Sequence, residues 1–113
     1  MLPQHSRITK QADWHHIHRR GMVTQSKDLV LKKVRNELKR SRFGIIVGTK
    51  VSKRATERNL IKRRIRAIIA AHSDKVKDSF DIIFITRPSI KGKKYTELEE
   101  QIKYLFTRAK LFI

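Results

Sequence analysis

Asn59, Lys62, Arg63 and Arg66 recur at intervals of three and four within a 113-residue chain. On an α-helix those intervals bring the four polar groups to one face. Guanidinium forks match phosphate oxygens, and a carboxamide both donates to and accepts from a sugar or base edge. The chemistry on offer is recognition of a phosphodiester polyanion. The four lie in residues 50–66, KVSKRATERNLIKRRIR, which hold eight Lys or Arg and one acid, Glu57. A block this basic repels itself and needs a polyanion, or water, beside it. A solvated surface helix is also rich in Lys and Arg, but such helices interleave Glu, and here only Glu57 does so.

Other chemistries lack their residues. There is no cysteine, hence no thiolate nucleophile, no disulfide framework and no Cys-based metal site. His15, His16 and His18 suggest a metal cluster, but adjacent residues on a helix diverge, which favours a structural or solvent-facing role. The carboxylates are few, sit mostly at helix starts, and show no two-metal spacing. Asp81, inside an apolar run, is expected near a strand end or paired with a cation. No P-loop pattern occurs. A protein-only nuclease would need a cluster of acids or histidines to activate water, and none is visible.

These side chains need elements to hold them. Ile61, Ile65, Ile68 and Ile69, at i, i+4, i+7 and i+8, mark the core face of a helix over residues 56–71, with the cationic stripe facing outward. Thr56 is its expected cap, and Glu57 suits the positive helix end. Arg58 lies at the seam of the two stripes; Leu60 and Arg64 leave on the other flank. Residues 1–9 read as an extended arm, and residues 10–20 as a short helix ending near Gly21, with Trp14, Ile17 and His18 on its apolar face. Residues 26–34 read as a strand, 36–41 as a hairpin connection, and 42–47 as a buried strand in which Gly44 adds flexibility. Residues 72–78 form a polar connection, 80–86 a second buried strand, and 87–94 a basic loop. Residues 96–108 form an amphipathic helix, with Thr96 and Glu99 spaced as a capping box. Strand, cationic helix and strand in succession suggest a βαβ unit beside an antiparallel hairpin in an α+β sandwich.

Arg58, Asn59, Ile61, Lys62, Arg63, Ile65 and Arg66 read R-N-x-I-K-R-x-I-R. This resembles the signature of the protein subunit of bacterial ribonuclease P. The run Arg42, Phe43, Gly44, Ile45, Ile46, Val47 and the lead-in Lys50, Lys53, Arg54, Ala55 are similar too, and the resemblance extends from Arg7 to Phe106. It implies a two-layer α/β sandwich of order α-β-β-β-α-β-α with a left-handed βαβ crossover, as in a domain of a small-subunit ribosomal protein. It also implies a division of labour. A large RNA carries the active site, Mg²⁺ serves that RNA, and the small basic protein assists removal of the 5′ leader from precursor tRNA. By this resemblance Lys50, Lys53, Arg54, Arg58, Asn59, Lys62, Arg63 and Arg66 contact the catalytic RNA. A cleft between the sheet and the first helix grips the leader, and its positions fall on Trp14, His18 and Lys32. His18 stands where the family usually has Phe, Lys32 where an aromatic is frequent, and Leu60 where Arg is usual.

Composition sets the remaining bounds. One RNA-binding domain over residues 1–113 is expected at this length. A net charge of +18 points to nucleic acid or an anionic membrane. No apolar run approaches a membrane span of about 18 residues. The first ten residues lack the apolar core of a secretory signal, so a cytoplasmic protein is expected. A membrane-surface helix would expose its Ile stripe, whereas two apolar strands are available here to cover it. No membrane and no small-molecule substrate are expected as partners. A ribosomal or other structural RNA-binding protein shares the charge and the α+β plan, and differs by lacking the R-N-x-I-K-R-x-I-R spacing.

Overall fold

The computed structural model describes residues 6–113. Helix α1 spans Gln11–Arg20, β1 Met22–Gln25, β2 Leu29–Arg35, β3 Arg42–Ile46, α2 Ala55–His72, β4 Phe80–Thr86 and α3 Tyr95–Arg108. This is the expected element order. The four strands lie in the order β1-β2-β4-β3. β1 with β2 and β2 with β4 are antiparallel, while β3 and β4 are parallel. A parallel pair needs a long crossover, and α2 supplies it.

The expected hairpin exists, but one step earlier in the chain. The strand predicted over 26–34 begins at Leu29, because Ser26 turns the chain by donating its N–H to the Leu29 carbonyl at 2.8 Å. β1, before that turn, has no buried residue and therefore no alternation to mark it. The segment 36–41 is not a hairpin: it carries the chain from β2 past β4 to the far edge. Asn36 pins this crossing, donating Nδ2 to Asp81 Oδ1 at 2.8 Å and accepting the Leu38 N–H at 2.9 Å.

The α2 stripe is buried as its spacing predicts, at Ile61, Ile65, Ile68 and Ile69. α3 buries Leu98, Ile102, Leu105 and Phe106. Both helices pack on the sheet face that carries Leu29, Leu31, Phe43, Ile82 and Phe84. α1 lies on the opposite face, where Ile17 meets Ile83 and Ile8. Each large side chain buried in this way contributes about 1.5–3 kcal/mol.

The predicted caps are not used. α2 starts at Ala55 and α3 at Tyr95, so Thr56 and Thr96 lie inside the first turn, where a hydroxyl cannot cap. Ser52 organises the start of α2 instead: its Oγ accepts the Arg54 N–H at 3.1 Å. Glu99 pairs with His72 Nε2 at 3.2 Å. Of the predicted arm, residues 1–5 lie outside the described residues. Arg7 bridges to Phe43 in parallel, and the Ile8 N–H reaches the Phe43 carbonyl at 2.9 Å, so this part of the arm lies along the free edge of β3.

Ile65 has no solvent exposure. Ile65→Ala should cost about 2–5 kcal/mol in a denaturant titration. Ile65→Asp should abolish cooperative melting, because it buries a carboxylate without a partner; an ordinary melting curve would show that the stripe does not anchor the core.

Candidate nucleic-acid interface

Burying the isoleucines turns the other side of α2 to solvent. Asn59 and Arg63 are exposed, Lys62 and Arg66 half-buried. With Thr56, three of them (Asn59, Arg63 and Arg66) line a shallow recess. Among the described residues no carboxylate pairs with any of the four. Burial, and after it the charge of Arg7, lowers the proton affinity of the Arg66 guanidinium. Like charges are crowded here, and a bound phosphate would relieve the repulsion. Lys50, Lys53 and Arg54 stand exposed on the approach to the helix. Arg58 is partly committed, since its Nη1 donates to the Ser52 carbonyl at 3.0 Å. Arg64 leaves on the opposite flank and donates to the Lys93 carbonyl at 3.4 Å. Leu60, on that flank, is 38% exposed.

A second recess opens between α1 and β3. Trp14 and His18 form one wall and Ile45, Ile46 and Val47 line it from the sheet, while Lys62 reaches in from α2. The same lysine therefore belongs to the cationic stripe and to the rim of the cleft. Trp14 lies directly on Gly44, where a Cβ would sit 2.3 Å from the indole Cη2. Gly44 thus provides room for a ring; flexibility, the sequence expectation, is not its role. Lys32 does not line this recess. Its Nζ approaches His18 Nδ1 at 3.5 Å. Burial first, then the charges of Lys32 and His15, push the His18 pKa down. A neutral imidazole can accept from the ammonium and keeps its flat face.

Arg42 sets the position of α1. Its Nε and Nη2 bond Asp81 at 2.9 and 2.6 Å, and its Nη1 reaches Asp13 on α1 at 3.2 Å. Asp81 is thus both close to a strand end and paired with a cation, as its sequence context suggests. Sequence reading missed Arg42, Gly44 and the floor of the cleft. A glycine in an apolar strand was the available signal for close approach.

The profile of the family described as Ribonuclease P matches residues 2–110. The chain belongs to the ribonuclease P protein family. It is 33% identical to a ribonuclease P protein component of Synechocystis over 96% of this chain and 88% of that one. It is 35% identical to one of Clostridium kluyveri, over 94% and 96% of the two chains. The solved ribonuclease P protein of Staphylococcus aureus superimposes with a TM-score of 0.88 at 30% identity, over 96% of this chain and 98% of that one. The α+β architecture is therefore the family's own.

The chain is the protein subunit of an endoribonuclease whose RNA subunit is catalytic, and its buried carboxylates are taken up within the fold. Asp81 is held by Arg42 and Asn36. Asp28 is held by Ser89 and Gln101. Among the described residues no three His, Asp or Glu converge on a common point, so this chain's residues do not fit a Mg²⁺ site. None of its helices in the described region is long and apolar enough to cross a membrane.

The His18 imidazole should titrate with a midpoint below 6.5 in an NMR titration. Lys32→Ala removes a positive neighbour and should move that midpoint up. Gly44→Ala should drive the indole off the strand, change the fluorescence of this sole tryptophan, and cost about 1–3 kcal/mol.

Proposed function

We propose that this ribonuclease P protein lays the outward face of α2 along the catalytic RNA subunit and holds the 5′ leader of precursor tRNA in the cleft beneath α1. The observation that carries this reading is Lys62, shared by the rim of a recess walled by Trp14 and by a cationic stripe that has no carboxylate partner among the described residues. Asn59, Arg63 and Arg66 contact phosphate and sugar, with Lys50, Lys53, Arg54 and Arg58 extending the contact along the approach to the helix. In the cleft Trp14 stacks on a leader base, and neutral His18 stacks more weakly. Burial, and after it the charge of Lys32, favours the neutral form of His18, so Lys32 acts through His18 and not as a wall of the cleft. The chain itself makes and breaks no bond. The RNA subunit, with Mg²⁺, cuts the leader from the precursor. The protein neutralises phosphate and fixes the substrate in register, which lowers the ionic requirement of the RNA. The reaction belongs to tRNA maturation in the cytoplasm, and residues 1–113 act as one domain.

Reconstitution tests this. The chain added to a bacterial ribonuclease P RNA should raise cleavage of a leader-bearing precursor at low Mg²⁺. No stimulation would favour a structural RNA-binding protein, and cleavage by the chain alone would refute the division of labour. Arg63→Ala with Arg66→Ala should weaken RNA binding and leave the melting curve intact. The salt dependence of log K should fall by about 0.7–0.9 for each phosphate that is no longer neutralised, and an unchanged slope would count against both residues.

A further inference from the structure

α1 is polar almost all the way round. Only Ile17 is buried in it, with Asp13 and Trp14 half-buried on the same side. A helix with so narrow an apolar face leaves most of its surface without a structural duty. The outer side carries Ala12, His15, His16, Arg19 and Arg20, all exposed, and together they line a recess. The one acid of α1, Asp13, is taken by Arg42 at 3.2 Å. Among the described residues His16, Arg19 and Arg20 have no ion pair and no side-chain hydrogen bond. Two arginines in the last turn suit the negative pole of the helix. That pole does not account for two imidazoles and an alanine that continue the same acid-free face toward the helix start.

The recess is not isolated. His15 lines it, and His15 also lines the cleft between α1 and β3, beside Trp14 and His18. Around the helix the cleft side and the outer side are therefore adjacent stripes that share one residue. A nucleotide strand lying in the cleft meets the outer face as soon as it passes His15, and Ala12 keeps the floor low there. Such a strand carries a phosphate at every nucleotide. A base held against Trp14 thus brings the neighbouring phosphates within reach of Arg19 and Arg20, whose forks match them.

We propose that the outer face of α1 binds the single-stranded RNA that continues out of the cleft past His15. Arg19 and Arg20 take its phosphates, and His15 and His16 line the turn over the helix. The face makes affinity depend on leader length: a short leader ends inside the cleft, and a longer one crosses α1. This rests on the leader-binding reading above.

The test uses the full chain assembled with a bacterial ribonuclease P RNA. Binding of precursor tRNAs is measured across a salt series, with leaders of about 4 and about 16 nucleotides, the range of single-strand site sizes. The long leader should show the steeper salt dependence, by about 1.4 for two further phosphates at about 0.7 each. Arg19→Ala with Arg20→Ala should remove that excess, leave the short leader unaffected and leave the melting curve intact. Arg19→Lys with Arg20→Lys should restore it. Lys75→Ala with Lys103→Ala removes two exposed lysines across the sheet from α1 and should keep the excess. Equal slopes for the two leaders in the unmodified protein would overturn the proposal. So would a loss shared by both leaders in the arginine variant, or the same loss in the lysine control. Trp14→Leu separates this face from the cleft, since it should weaken both leaders. If Trp14→Leu weakens binding and the arginine pair is silent, the outer face fails and the cleft reading stands. If both are silent, the cleft reading fails as well.

Discussion

The contact on which this molecule depends is the burial of four isoleucines of α2 against the sheet and α3. Ile65, Ile68 and Ile69 have no exposure at all. Because an α-helix is rigid about its axis, burying one stripe dictates where every other side chain of the helix points. Asn59 and Arg63 face solvent for that reason, and Lys62 and Arg66 lie half-buried at the margin. Hydrophobic packing thus does what electrostatics by itself opposes: it gathers cations on one side of a chain whose net charge is already +18.

β3 connects the cationic face of α2 with the cleft beneath α1. It pairs with β4 on one side and with the Arg7–Phe43 bridge on the other. Phe43 points into the core beneath α2 and α3, while Gly44 on the other face receives the Trp14 ring. A single short strand therefore supports the α2 helix from one face and floors the cleft beneath α1 from the other. The Arg42 fork, spanning Asp81 in the sheet and Asp13 on α1, keeps the cleft wall aligned with that floor. Removing either acid would leave a half-buried guanidinium short of partners, so positioning and stability are coupled at this residue.

Charge is also sorted by depth. The buried acids are consumed internally, Asp81 by Arg42 and Asp28 by Ser89 and Gln101. Glu97, Glu99 and Glu100 lie on α3, where Glu97 faces Lys93 and Glu99 pairs with His72. Some cations serve the fold as well. Lys33 donates to the Ala109 carbonyl at the C-terminal end of α3 and lies 5.2 Å from the Phe80 ring centre. A positive group at that end of a helix meets the negative pole of its dipole. What remains for a polyanion is the subset of cations that the fold does not use.

Periodicity alone determined a good deal. The isoleucine stripe, the outward set Asn59, Lys62, Arg63 and Arg66, and the apolar runs of β3 and β4 were all legible, because each depends on spacing within one element. The family was legible by a different route, the resemblance of R-N-x-I-K-R-x-I-R to a known signature, which occupies consecutive turns of a single helix. Tertiary structure decided what depends on neighbours remote in sequence. The edge strand β1 buries nothing and so leaves no pattern. The crossing of 36–41 is held by Asn36 and Ser41 through partners 45 and 36 positions away. The helix starts follow Ser52 and the loop before Tyr95, not the threonines that local rules select. Gly44 could be read only as a glycine until the indole was seen resting on it. Whether an arginine meets RNA or its own chain is likewise a tertiary matter, since Arg63 and Arg64 are adjacent in sequence and only packing sends the second to a loop carbonyl.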